Sequence, residues 1–105
     1  MFRVFTTNEF DKRLDCLDES DKKKVHKIIE QLKEKGDIVG KHLGRFYFRE
    51  KKFGGKRLYF LVYKEFMVIL AVGIGNKKTQ QETINEILSE IKNYKSFIIE
   101  KFKKD

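Results

Sequence analysis

Three arginines, Arg45, Arg49 and Arg57, alternate with Tyr47 and Tyr59 along two short aromatic runs, and Lys77 and Lys78 follow a third. Arginine offers a planar fork of N–H donors to phosphate oxygens, lysine offers a compact charge, and tyrosine offers a ring on which an unpaired base can stack. Such a set suits a nucleic-acid backbone. It could also assist RNA cleavage by the ribose 2′-hydroxyl, because Arg57, Lys78 and Arg49 would stabilise the charge that gathers on the phosphate. A tyrosine, or a lysine of lowered pKa, could exchange the protons. Lys51 and Lys52, in the break between the first two runs, add to the binding set of Arg45, Tyr47, Tyr59 and Lys77. The plain alternative is that Arg45 and Arg49 pair with carboxylates such as Glu50 or Glu65.

Other chemistries lack residues. Cys16 is the only cysteine, which excludes an internal disulfide framework and fits a reducing cytoplasm. His26 and His42 have no clustered Cys, His or carboxylate partners, so no metal site and no cofactor are expected. Gly54 and Gly55 are too few to cradle a phosphate and read as a hairpin turn. The longest apolar run, residues 66–72, is strand-sized, far below the roughly 18 residues of a membrane span. Residues 1–5 carry no secretion signal pattern. The expected location is cytoplasmic, with no membrane partner.

The 105 residues suffice for one domain, expected to span 1–105. Lys and Arg number 24 against 16 Asp and Glu, a net charge of +8 that favours polyanions and speeds their encounter without bearing on fold.

The elements that must position these residues follow from apolar spacing. Residues 2–5 read as a first strand. Thr7 caps a helix over residues 8–17, with Phe10, Leu14 and Leu17 on one face. Ser20 is expected to cap a second helix, striped by Val25, Ile28, Ile29 and Leu32 and ended by Gly36. Residues 36–42 read as a loop, 43–50 as a strand, 51–55 as a turn, 56–63 as a strand and 66–73 as a strand buried on both faces. Alternation places Phe46, Phe48, Leu58, Phe60 and Val62 against the helices, and Arg45, Tyr47, Arg49, Arg57 and Tyr59 on the opposite, open face. Thr79, with Glu82 as its capping-box partner, opens one long helix over residues 80–101. The fold class is therefore α+β, ordered β-α-α-β-β-β-α. A helical hairpin packs on one face of a mostly antiparallel four-stranded sheet, and a C-terminal helix follows.

The element order, together with Phe-Arg-Glu-Lys-Lys-Phe-Gly-Gly-Lys-Arg-Leu-Tyr-Phe-Leu-Val-Tyr at 48–63 and Lys-Lys-Thr-Gln-Gln at 77–81, resembles the RelE/ParE superfamily of toxin–antitoxin toxins, closest to its RelE-like and HigB-like branch. The resemblance covers nearly the whole chain. It implies a ribosome-dependent mRNA endonuclease, or mRNA interferase, that inhibits translation without a metal or small-molecule cofactor. Its partners would be mRNA on the ribosome and a cognate antitoxin that covers the basic face. Arg57 is similar in position to the arginine that begins the middle strand of RelE-like members, Lys77 and Lys78 to the basic residues after the last strand, and Arg49, Lys51 and Lys52 to those on the preceding strand and turn. RelE carries a tyrosine a few residues past the basic pair; here residues 79–84 read Thr-Gln-Gln-Glu-Thr-Ile, and His42 is the only histidine candidate for the proton-transfer role of HigB-like members. The alternatives are a ParE-like inhibitor of DNA gyrase and a non-catalytic basic nucleic-acid-binding domain.

Overall fold

The Thr7 hydroxyl accepts the Phe10 N–H at 3.1 Å and starts helix α1 (Asn8–Asp15) where the sequence places it. In helix α2 (Glu19–Lys35) the cap is Asp18 rather than Ser20. Its carboxylate accepts the Asp21 N–H at 2.8 Å, and a charged oxygen serves the positive end of a helix better than a hydroxyl. Gly36 ends α2 with helical φ, so a left-handed turn is not what requires glycine. Space is: a Cβ at Gly36 would collide with Ile69 and lie 2.6 Å from the Leu32 carbonyl oxygen.

These elements belong to a computed structural model that describes residues 1–36 and 38–103. Strand β1 (Arg3–Thr6) precedes α1. After α2 come β2 (Lys41–Leu43), β3 (Arg45–Phe53), β4 (Lys56–Tyr63), a single 3-10 turn (Lys64–Phe66), β5 (Val68–Asn76), α3 (Gln80–Ser89) and α4 (Ile91–Phe102). The sheet order is β1-β5-β4-β3-β2, with β1 parallel to β5 and the other neighbours antiparallel. The sheet thus has five strands, not four, because Lys41 and His42 of the expected loop join Leu43 in a separate strand that pairs with β3.

Both faces of the sheet are covered. Phe10, Val25, Ile28 and Leu32 from the helical hairpin pack on Leu58, Phe60, Val62, Ile69 and Ala71. On the other side Ile87 of α3 and Ile98 of α4 pack on Phe48, Tyr59, Leu61, Leu70 and Val72. The face expected to stand open is therefore a second core, which corrects the placement of Phe48 as well. The side chain of Phe46, expected in the first core, lies outside the described residues.

The expected C-terminal helix is two helices. At Glu90 the backbone leaves helical geometry (φ −107°, ψ 4°), its N–H reaching the Ile87 carbonyl at 3.0 Å, and α4 begins at Ile91. The break lets Ile91, Tyr94, Ile98 and Phe102 all return to the sheet. Phe102 ends 5.3 Å from the Phe5 ring, with the Arg3 guanidinium 4.6 Å from its centre. Among the described residues no helix is long and apolar enough to cross a membrane.

Candidate nucleic-acid interface

The β3–β4 hairpin turns through two residues only, with Gly54 at φ +57°, a value glycine adopts without steric cost. Phe53 then pairs with Lys56, Lys52 with Arg57, Glu50 with Tyr59 and Arg49 with Phe60. Because side chains alternate, this register divides the expected site between the two faces of the sheet. Lys52 and Glu50 share the face of Arg57 and Tyr59. Arg49 and Lys51 point toward the helical hairpin.

Arg49 is accordingly not beside Arg57. It is buried, and its Nη1 donates to the Gly36 carbonyl at 3.0 Å and reaches that of Val39 at 3.5 Å. This arginine satisfies backbone acceptors where α2 runs into the following loop. Tyr59 departs from expectation in another way. It lies beneath α3 with no exposure, so its ring is not a surface for stacking bases. Burial, and then the negative charge of Glu50, push its phenol well above the ordinary tyrosine value. It stays protonated at neutral pH and accepts no proton there. Arg45 is exposed and donates to the Tyr47 hydroxyl at 3.4 Å. The pair sits at the far end of β3, seven residues from Lys52, about 23 Å along the strand. Tyr47 packs against the second core, so strict alternation fails at this end of β3, where the pairing with β2 also slips.

What the fold does gather is at the other end. Arg57 is 9% exposed and pairs with Gly75 of β5. A bulge opposite Tyr59 and Phe60 shifts the parity of β5, so that Gly73 and Gly75 both present their missing side chains to α3. A Cβ at Gly75 would stand 3.0 Å from the Thr83 hydroxyl and 3.1 Å from that of Thr79. Glycine here lets the start of α3 descend onto the strand beside Arg57.

The connection into α3 is a closed turn. The Asn76 N–H donates to the Thr79 hydroxyl and the Thr79 N–H to the Asn76 side-chain oxygen, each at 3.0 Å. The hydroxyl is thereby occupied, and the expected capping box with Glu82 does not form. Lys77 and Lys78 ride exposed on this turn, and Lys52 is exposed on the neighbouring hairpin. Below them a carboxylate joins strand and helix: Glu50 Oε2 accepts from Gln80 Nε2 at 2.9 Å and lies 3.5 Å from Arg57 Nε. The site is thus a recessed guanidinium with three exposed ammonium groups around it and an internal carboxylate behind it. His42 lies two strands away on β2, opposite Arg49. Among the described residues no cluster of His, Cys, Asp and Glu could hold a metal ion.

Neither a protein-family model nor a curated protein matches the sequence. Solved structures do match. The isolated RelE toxin of Escherichia coli superposes with a TM-score of 0.66 at 18% identity, covering 83% of this chain and 99% of that one. The chain in the E. coli RelBE toxin–antitoxin complex gives 0.66 at 19% identity over 72% and 96%, and that in the Mycobacterium tuberculosis RelBE complex gives 0.64 at 19% identity over 72% and 98%. The fold is RelE-like.

Within this RelE-like frame, sequence reasoning missed Glu50 and Gln80 as members of the site. Glu50 was expected at most as a counter-charge for Arg45 or Arg49. The signal was there: two glycines make a two-residue turn, and counting outward from it sets Glu50 opposite Tyr59 and two pairs from Arg57, on the same face.

Proposed function

We propose that the protein is the toxin of a type II toxin–antitoxin system and acts as a ribosome-dependent mRNA endonuclease. The observation that carries the reading is Arg57, recessed between the β3–β4 hairpin and the start of α3, with Lys52, Lys77 and Lys78 exposed around it on a RelE-like fold. Lys52 and Lys77 would draw in the RNA backbone as point charges, and Arg57 would fix the scissile phosphate through its forked donors. As the 2′-hydroxyl gives its proton to a base and its oxygen bonds to phosphorus, the bond to the 5′-oxygen breaks and that oxygen takes up a proton, while charge grows on the non-bridging oxygens. Arg57 and Lys78 would stabilise it without a metal.

RelE is solved in complex with an antitoxin. A corresponding antitoxin for this chain would present acidic groups to Lys52, Lys77 and Lys78 and shield Arg57 from RNA.

The test is expression together with a translation-coupled cleavage assay. Wild-type protein should arrest growth and cut mRNA in translating ribosomes, and Arg57→Ala should lose both while melting like the wild type. Ribosome-bound mRNA left whole overturns the nuclease reading. Inhibition of gyrase supercoiling by the same protein would instead assign it the ParE-like activity.

A further inference from the structure

We propose that Glu50 is a positioning residue for Arg57, clasped by Gln80 so that α3 and the β3–β4 hairpin aim one guanidinium together. This rests on the nuclease reading for its kinetic consequence, though not for its geometry.

Three observations support it. Glu50 is 3% exposed, and its nearest cation is Arg57, the two sharing one face of adjacent strands. A carboxylate in such a place is costly unless paired and hydrogen-bonded. The same oxygen, Oε2, takes both contacts, from Gln80 at 2.9 Å and from Arg57 Nε at 3.5 Å. Because a carboxylate only accepts, Gln80 must turn its nitrogen toward it. Finally, Arg57 Nε is buried without a hydrogen-bond partner among the described residues, the 3.5 Å approach being an ion pair of poor hydrogen-bond geometry. Catalytic hydrogen bonds of this kind tighten when substrate binds. Engaging the guanidinium through Nε leaves its two terminal nitrogens to form the fork on a phosphate.

An alternative role for a carboxylate at a cationic site is to quench it, and the two roles have opposite signatures. Glu50→Gln removes a negative charge, so by electrostatics alone it should leave RNA binding unchanged or tighter. If Glu50 positions Arg57, turnover falls nonetheless, on the order of a hundred-fold for a misaligned group, while KM stays level or drops. A merely structural role would lower the melting temperature without this split.

The experiment is kcat and KM of mRNA cleavage for wild type, Glu50→Gln and Gln80→Ala, together with NMR exchange of the Arg57 Nε–H in each full-length protein. Expected are a slowly exchanging Nε–H in the wild type, faster exchange in both variants, and reduced kcat with no rise in KM. Gln80→Ala, which leaves the carboxylate in place, serves if Glu50→Gln does not fold. Turnover of Glu50→Gln equal to or above wild type overturns the proposal, as does a wild-type Nε–H that exchanges like an exposed arginine. If no variant cleaves mRNA, including wild type, the nuclease reading fails and the exchange data alone decide the positioning.

Discussion

The Lys56 ammonium donates to Asp21 Oδ2 across 2.7 Å and so ties the foot of β4 to the first turn of α2. The hydrogen bond from Lys56 holds the Asp21 carboxyl below the usual aspartate value, and the same bond raises the lysine. A lowered carboxyl contributes stability that is complete above its unfolded pKa of about 4 and is lost as pH falls through the native value. A raised lysine contributes fully below about 10.4 and loses it as pH climbs past the native value. The difference in urea midpoint between wild type and Lys56→Met should therefore be widest near neutrality and narrow at both extremes. A gap independent of pH would disprove the coupling.

Arg49 holds the end of α2 rather than RNA. Arg49→Ala leaves the Gly36 carbonyl without its buried donor and should cost roughly 2–3 kcal/mol in denaturant unfolding. Loss of RNA affinity at full stability would return Arg49 to the binding surface.

Tyr59 buries a hydroxyl near the Glu50 carboxylate that makes no hydrogen bond of good geometry among the described residues. Removing an unsatisfied polar atom is neutral or stabilising, so Tyr59→Phe should melt at or above the wild-type temperature, a gain of up to about 1 kcal/mol. Its raised phenol adds a pH signature. Above about pH 10 the unfolded chain ionises while native Tyr59 does not, so wild-type stability falls there, and Tyr59→Phe should fall less steeply.

Gly36 allows α2 to end against the sheet. Gly36→Ala should destabilise by about 1–3 kcal/mol through overpacking against Ile69. Pairing it with Ile69→Val should recover part of that loss, so the double variant costs less than the two single changes together. Simple additivity would show that Ile69 is not what the methyl strikes.

Lys52, Lys77 and Lys78 are exposed around Arg57 and should act as phosphate contacts. Changing any one to Gln should weaken RNA binding across sequences and reduce the slope of log affinity against log salt by about 0.7 for a single strand. An unchanged slope for all three would place the RNA elsewhere.

The sequence by itself determined the order of the first strand, the helical hairpin and the three long strands, together with the strand over residues 56–63 and the parity within it, because period-two and period-3.6 spacing are local consequences of backbone geometry. It also determined that Arg57 and the lysine pair belong near the ends of strands. The neighbours of each face were decided only by the tertiary structure. A five-residue turn over 51–55 sets Arg49 across from Arg57, whereas the two-residue turn that forms sets Phe60 there and sends Arg49 through to the opposite core. One residue of register moves a whole strand from face to face, and single-chain periodicity is blind to it. The same limit hid the second core. The apolar stripe of the C-terminal region was legible, but the break at Glu90 that folds it back over Tyr59 depends on contacts between elements far apart in sequence.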